Sequence, residues 1–327
     1  MDVRFVGTDG VEDHDVAELD ALLARTDGFT WIDVPTFDEA AEQVLRDVIG
    51  CHPTVLSHFA TRNHVPTVHA YANHFFTTLH APLLGSAGHV HLLELDQVVG
   101  TRYLVTVHGP INPVVDPAEA LVETEGALRR IREGRLRPTS PAELSYSLGS
   151  AIARRQRGLI NNVAEKLPDL EQQVMAPSFR EPEELLERMF LVRHELTTAR
   201  TMAAQSHDIY LRITTLDEHV PERDRKFAKD LADQFDRVRS VGDGESQFLH
   251  GVIELYQTRV NTKMTVAMER LAVIAAVTLP VTALASVYGM NVIVRERTSV
   301  WELVVVLILM LSISTQLLRW TRRQGWW

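Results

Sequence analysis

Nine side chains spaced three or four apart near the C-terminal end, with an asparagine beyond them, could handle a cation. Glu254, Thr258, Asn261, Thr265 and Met268 fall on one helical face, and Leu271, Ala275, Leu279 and Thr282 continue it, with Asn291 at the far end. The face is oxygen-rich in its first half and apolar in its second. If several copies of this helix surrounded an axis, the oxygen-rich half could carry a hydrated cation. Met268, Leu271 and Leu279 would then form narrow apolar rings of the kind that gate by dewetting. The same spacing also describes the solvated face of an ordinary coiled coil, with Thr282 bonded only to its own backbone. Beside this stripe runs an apolar seam, Leu249, Ile253, Tyr256, Val260, Met264 and Ala267, suited to packing on a neighbouring helix.

Other chemistries find little support. No Walker loop, Gly-rich dinucleotide fingerprint or nucleophile elbow occurs, so the chain reads as neither an ATPase nor an enzyme. Histidines crowd the first hundred residues. His89 and His91 would share one face of a strand and could form part of a Zn²⁺ site, although scattered half-buried histidines account for them equally well. The single cysteine, Cys51, excludes an internal disulfide and suits a reducing compartment. A formal net charge of −10 makes the chain a poor general binder of nucleic acid.

The elements that must hold the stripe begin with two apolar runs. Residues 271–287, LAVIAAVTLPVTALASV, contain no ionisable group, and extension to Asn291 gives a helix of ~30 Å, the thickness of the hydrocarbon layer. A second run, residues 300–318, follows a short break. Lys263 and Arg270 precede the first run, while Arg319, Arg322 and Arg323 follow the second. The basic excess on these outer flanks places both termini in the cytosol. Trp301 fits one membrane interface, and Trp320, Trp326 and Trp327 fit the other. The acidic N-terminal stretch has neither the basic start nor the apolar core of a secretory signal.

Ahead of the membrane the texture changes once. Residues 1–140 read as a mixed α/β domain, with strands at 3–6, 29–34, 73–81, 89–95 and 102–109 and helices at 16–25, 37–49 and 117–133. Residues 141–220 read as a helical hairpin. Its first arm, 142–174, should kink or break at Pro168, and its second runs from 183 to about 215. From Pro221 a single long helix, 221–291, leaves the cytosol and becomes the first span at about 271–291. A loop at 292–299, a second span at 300–318 and a basic tail at 319–327 complete the chain.

Tyr288-Gly289-Met290-Asn291 closes the first of only two C-terminal spans, with Pro280 and Thr282 shortly before it. In that position the motif resembles the signature of the CorA family of magnesium channels. The basic tail and the α/β-then-helical layout are similar to the family too, so the likeness covers essentially the whole chain. It implies an α+β cytosolic funnel domain followed by long α-helices and a two-helix transmembrane hairpin, assembled as a homopentamer in the cell membrane and in contact with lipid. The resemblance makes Gly289, Met290 and Asn291 the selectivity filter, with Asn291 supplying a ring of amide oxygens. Such a neutral ring can hold hydrated Mg²⁺ through its waters without trapping it. Thr282 would form an inner polar ring, with Leu279, Leu271 and Met268 as the gate and Glu254 as the acid deeper in the pore. Mg²⁺ is then the transported and regulatory ion, and Co²⁺ or Ni²⁺ would also pass.

By the same likeness Asp230 falls where a regulatory Mg²⁺ ligand is expected. Its partner region, His52-Pro53-Thr54-Val55-Leu56, keeps the His-Pro pair but continues with Ser57 and His58 where acids are common. The loop after Asn291 also departs from the family, since Arg295 and Arg297 flank Glu296. A Zn²⁺ transporter of the ZntB type is the near alternative, and a non-conducting membrane-anchored sensor or scaffold is the distant one.

Overall fold

The computed structural model describes residues 1–85, 88–176, 182–216, 220–289 and 300–323. It divides into two compact units, Met1–Gly251 and Val252–Trp327.

The first unit is built on a seven-stranded mixed sheet. Strands β1 (Asp2–Gly7), β2 (Gly10–His14), β3 (Gly28–Val34), β4 (Thr67–Ala70), β5 (His74–Leu84), β6 (Val90–Gly100) and β7 (Tyr103–His108) lie in the order β2-β1-β3-β7-β6-β5-β4. All neighbours are antiparallel except β3 and β7, whose register matches Thr30 with Tyr103 through Val34 with Val107. Helices cover both faces. That is why β5 and β6 are buried along most of their length rather than on alternate residues. One face, with Phe76, Val98, Val105 and Val107, packs against α1 (Leu19–Ala24), α2 (Glu39–Asp47) and α3 (Pro53–Ala60) through Leu22, Leu45, Val55 and Phe59. The other, with Trp31, Leu79, Leu95 and Leu104, packs against α4 (Ala118–Arg132) and α5 (Pro141–Ala164) through Ala127, Leu144, Leu148 and Ile152.

Helices α6 (Leu167–Met175) and α7 (Pro182–Ile213) complete the helical layer with the first part of α8 (Glu222–Gly289), whose Leu231 and Phe235 join the same core. The expected break at Pro168 falls between α5 and α6. A proline ring clashes with the carbonyl four residues earlier, here Ala164, the last residue of α5; Pro168 then sits in the first turn of α6, where no N–H is needed. Gly149 brings α5 close to its neighbours: a Cβ there would lie 2.4 Å from Leu231 Cδ2 and 3.0 Å from Tyr210 Oη.

Three elements went unread in the sequence. Strand β2 is an exposed acidic edge, GVEDH, without the apolar alternation that marks a strand. Strand β4 is only four residues long. Helix α3 starts on an unusual cap, His52, whose Nδ1 accepts from the backbone N–H of Thr54 at 3.2 Å.

The second unit holds the membrane end of α8 and the helix α9 (Val300–Arg323). Helix α8 continues through Pro280 to Gly289. Both helices carry windows long and apolar enough to cross a membrane, and little of either window is covered by the chain itself. Among the described residues of these two apolar stretches, Val273 and Val306 are buried.

Candidate functional site

Helix α8 carries the whole stripe from Glu254 to Thr282 as one uninterrupted element, so its residues keep helical spacing throughout. Every one of them is exposed. Leu271 and Leu279 are each 66% exposed and Met268 54%, values that a core leucine or methionine never shows, so none of the described residues covers these apolar positions of the stripe. Glu254, Thr258, Asn261, Thr265, Ala275 and Thr282 are exposed as well. Between Leu271 and Val287 no ionisable side chain occurs, so along this run the stripe offers only hydroxyl and apolar surface.

The threonines on this helix bond to their own backbone. Thr258 Oγ donates to the Glu254 carbonyl at 2.9 Å, Thr265 to Asn261 at 3.0 Å and Thr282 to Thr278 at 2.9 Å. Thr262 and Thr278 repeat the pattern one turn further back. Gly289 is exposed, and a Cβ there would meet nothing within 4 Å among the described residues. Met290 and Asn291, the other two filter residues expected from the sequence, lie outside the described residues, as does the loop that follows them.

Of the apolar seam, Leu249 and Tyr256 are buried within the single chain, whereas Met264 and Ala267 are exposed. Only its membrane-proximal part is open, because the cytosolic part already lies against other residues of the same polypeptide.

Asp230, the expected regulatory ligand, stands on the surface of the first unit. Its Oδ2 accepts from Tyr146 Oη of α5 at 2.7 Å and from Gln234 Nε2, one turn along, at 2.7 Å. These donors, Tyr146 foremost, hold its carboxyl below the usual aspartate range. Neither donor was singled out in the sequence: Tyr146 lies 84 residues away, and no local pattern links the two. Ser57 and His58, the departures from the expected acids, sit on α3. Ser57 Oγ donates to the Thr54 carbonyl at 2.8 Å, and the His58 ring lies 6.2 Å from that of His69 and 5.5 Å from that of Phe76.

The histidines of the sheet take structural places. His80 is buried with Nε2 2.8 Å from the Asn63 carbonyl, and burial lowers its pKa to about 4. His108 bonds Asp33 at 3.1 Å. His89 and His91 do stand side by side, with ring centroids 5.1 Å apart. No group of three or more metal-binding side chains in range of a common ion occurs among the described residues. One buried pair escaped the sequence reading altogether. Glu94 and Asp96 alternate onto the same face of β6 and are both buried, Glu94 accepting from Asn63 and Asp96 from Thr78. Burial raises the pKa of each, and the charge of Glu94 raises that of Asp96 further.

A family model described as "CorA-like Mg2+ transporter protein" matches residues 26–323. The chain belongs to the CorA family. It is 24% identical over 306 residues to the cobalt/magnesium transport protein CorA of Thermotoga maritima, covering 91% of this chain and 83% of that one. Its fold matches that of the complete CorA magnesium transporter from Methanocaldococcus jannaschii with a TM-score of 0.77 at 18% identity, over 100% of this chain and 99% of the other. The ZntB cytoplasmic domain from Vibrio parahaemolyticus matches 80% of the chain with a TM-score of 0.61 at 7% identity and is itself covered to 98%. As a CorA-family protein this is a two-span membrane protein of a divalent-cation transporter family, with its N-terminal α/β domain in the cytosol. The family consists of transporters, not enzymes.

Proposed function

We propose that this protein conducts Mg²⁺ into the cell down its electrochemical gradient, through a pore made by five copies of α8. The observation that carries the reading is the uncovered stripe from Glu254 to Thr282, which stays in register on one helix and loses all charge on entering the membrane. A stripe of oxygen ligands followed by apolar rings suits a hydrated cation that is first gathered and then gated. Membrane potential alone favours entry by about 2.3 kcal/mol per charge per 100 mV, so no energy-coupling site is needed. In this reading Asn291, with Gly289 and Met290, forms the outer filter. Co²⁺ would share the path, as the name of the Thermotoga maritima relative suggests, and Ni²⁺ has the ligand chemistry to follow. Asp230 takes part in closure when internal Mg²⁺ rises.

The experiment is Mg²⁺ uptake into proteoliposomes, comparing wild type with Asn291→Ala. Uptake should fall at least about tenfold in the variant, which is the weight of a single net hydrogen bond of ~1.4 kcal/mol where a whole ring is lost, with the oligomer unchanged. Equal uptake by the two proteins would remove Asn291 from the filter. A second reading, Zn²⁺ transport, draws on the likeness to the ZntB domain and on Ser57 and His58 standing where acids were expected. It takes over if the wild type moves Zn²⁺ and no Mg²⁺. Failure to move any divalent ion would favour a non-conducting sensor or scaffold.

A further inference from the structure

Opposite the stripe, α8 bears a different feature. Thr262, Lys263, Val266, Ala267, Arg270 and Leu271 line an open groove of about 540 Å³. At about 100° per residue, Lys263, Val266 and Arg270 cluster roughly half a turn away from Met268 and Ala275. The groove shares Leu271 with the edge of the proposed ion path, but its two cations, Lys263 and Arg270, stand on the far side of the helix from that path. Its floor is apolar, and Ile274, 58% exposed, carries the apolar surface on into the span.

The depths of the two cations are specific. Arg270 is the last ionisable residue before the uncharged run that starts at Leu271, so its Cα lies at the edge of the hydrocarbon layer. Lys263, seven residues earlier, lies ~10 Å further into the cytosol on the same face. The headgroup layer on one side of a bilayer is roughly 5–7 Å thick. Long side chains reaching from either end thus bracket a phosphate in that layer, with apolar surface directly beneath for an acyl chain. Glu269, the nearest acid in sequence, points about 100° away from Arg270 around the helix.

We propose that this groove binds one anionic phospholipid of the cytosolic leaflet, its phosphate held between Lys263 and Arg270 beside Val266 and its first acyl carbons on Ile274. The occupant follows from charge and depth: the cytosolic leaflet carries the anionic lipids, and a zwitterionic choline headgroup would bring a like charge against the two cations. The site rests on the two-span placement of the chain and not on what ion it conducts.

The test counts lipids bound to the full-length protein by native mass spectrometry, with phosphatidylglycerol and phosphatidylcholine of identical acyl chains as probes. Each basic group near a membrane surface contributes about fivefold in binding. The wild type should therefore favour phosphatidylglycerol, and Lys263→Gln/Arg270→Gln should lower that preference by about 25-fold. Lys263→Arg/Arg270→Lys should retain it. Equal binding of the two lipids by the wild type, or an undiminished preference in the glutamine variant, would overturn the assignment. So would a preference lost instead in Arg322→Gln/Arg323→Gln, which would place the lipid on α9. Should the glutamine variant fail to assemble, a phosphatidylglycerol with a photoreactive group near the glycerol decides on the wild type. Crosslinks within residues 262–274 support the site, and crosslinks confined to other segments refute it.

Discussion

If Asp230 senses internal Mg²⁺, its hydrogen bond from Tyr146 competes with the ion, and removing that donor should make closure more sensitive. Tyr146 Oη and Gln234 Nε2 both donate to Asp230 Oδ2 at 2.7 Å. A hydrogen bond to a charged acceptor is worth about 1.5–3 kcal/mol when buried. Asp230 is exposed, so solvent screening brings the Tyr146 contribution nearer to about 1 kcal/mol. Tyr146→Phe deletes the hydroxyl and keeps the ring that packs against Phe227 at 5.2 Å. The internal Mg²⁺ concentration giving half-closure should then fall about fivefold, while the maximal flux at low internal Mg²⁺ stays as in wild type. Asp230→Ala should move the same midpoint the other way. The assay is Mg²⁺ flux into proteoliposomes preloaded with a series of Mg²⁺ concentrations. A midpoint unchanged in Tyr146→Phe, or raised by it, would refute the competition, and an unchanged midpoint in Asp230→Ala would remove the residue from regulation altogether.

Other expectations concern the cytosolic domain. Burial raises the folded-state pKa of Glu94 and Asp96. The folded protein therefore binds more protons than the unfolded chain above the normal carboxylate range, and the pair's contribution to stability is lost as pH rises through the raised folded values. Asp96→Asn should flatten the fall in thermal midpoint between pH 5 and pH 8 and raise the midpoint at pH 8; a slope equal to wild type would contradict this. Burial pushes the Cys51 thiol up to about 12, leaving on the order of a thousandfold less thiolate than a free cysteine at neutral pH. Maleimide should thus label the denatured protein and spare the native one, as mass spectrometry would report. Gly149→Val forces a side chain onto Leu231 and Tyr210 and should cost about 1–3 kcal/mol, read as a lowered unfolding midpoint.

The membrane half of this protein was legible because its signals are local. An uncharged run, a proline and threonine near its end and a Gly-Met-Asn closing it sit within a few helical turns, and the stripe obeys a fixed spacing on one helix. The long strands were legible for the same reason, although β6 continues past residue 95 through Asp96 and Gln97, polar residues that look like a strand's end. They stay in the sheet because Thr78 and Ser145 receive them. What the sequence concealed depends on distant partners. Tyr146 meets Asp230 only after α5 and α8 have packed, and Arg155 of α5 pairs with Glu119 and Glu123 of α4 across more than thirty residues. The seam shows a related limit of pattern: spacing tells which residues share a face, but not whether the same chain already covers it.

The back-bonded threonines of α8 have one more consequence. A hydroxyl free to rotate can offer a proton to an anion or a lone pair to a cation, and so discriminates poorly between them. At Thr258, Thr265 and Thr282 the proton is already committed to a carbonyl of the preceding turn. What remains facing outward is oxygen lone pairs alone. In the proposed pore these three hydroxyls would therefore present lone pairs to the water shell of a passing cation, whose protons point outward, and would have no free O–H to donate to an anion.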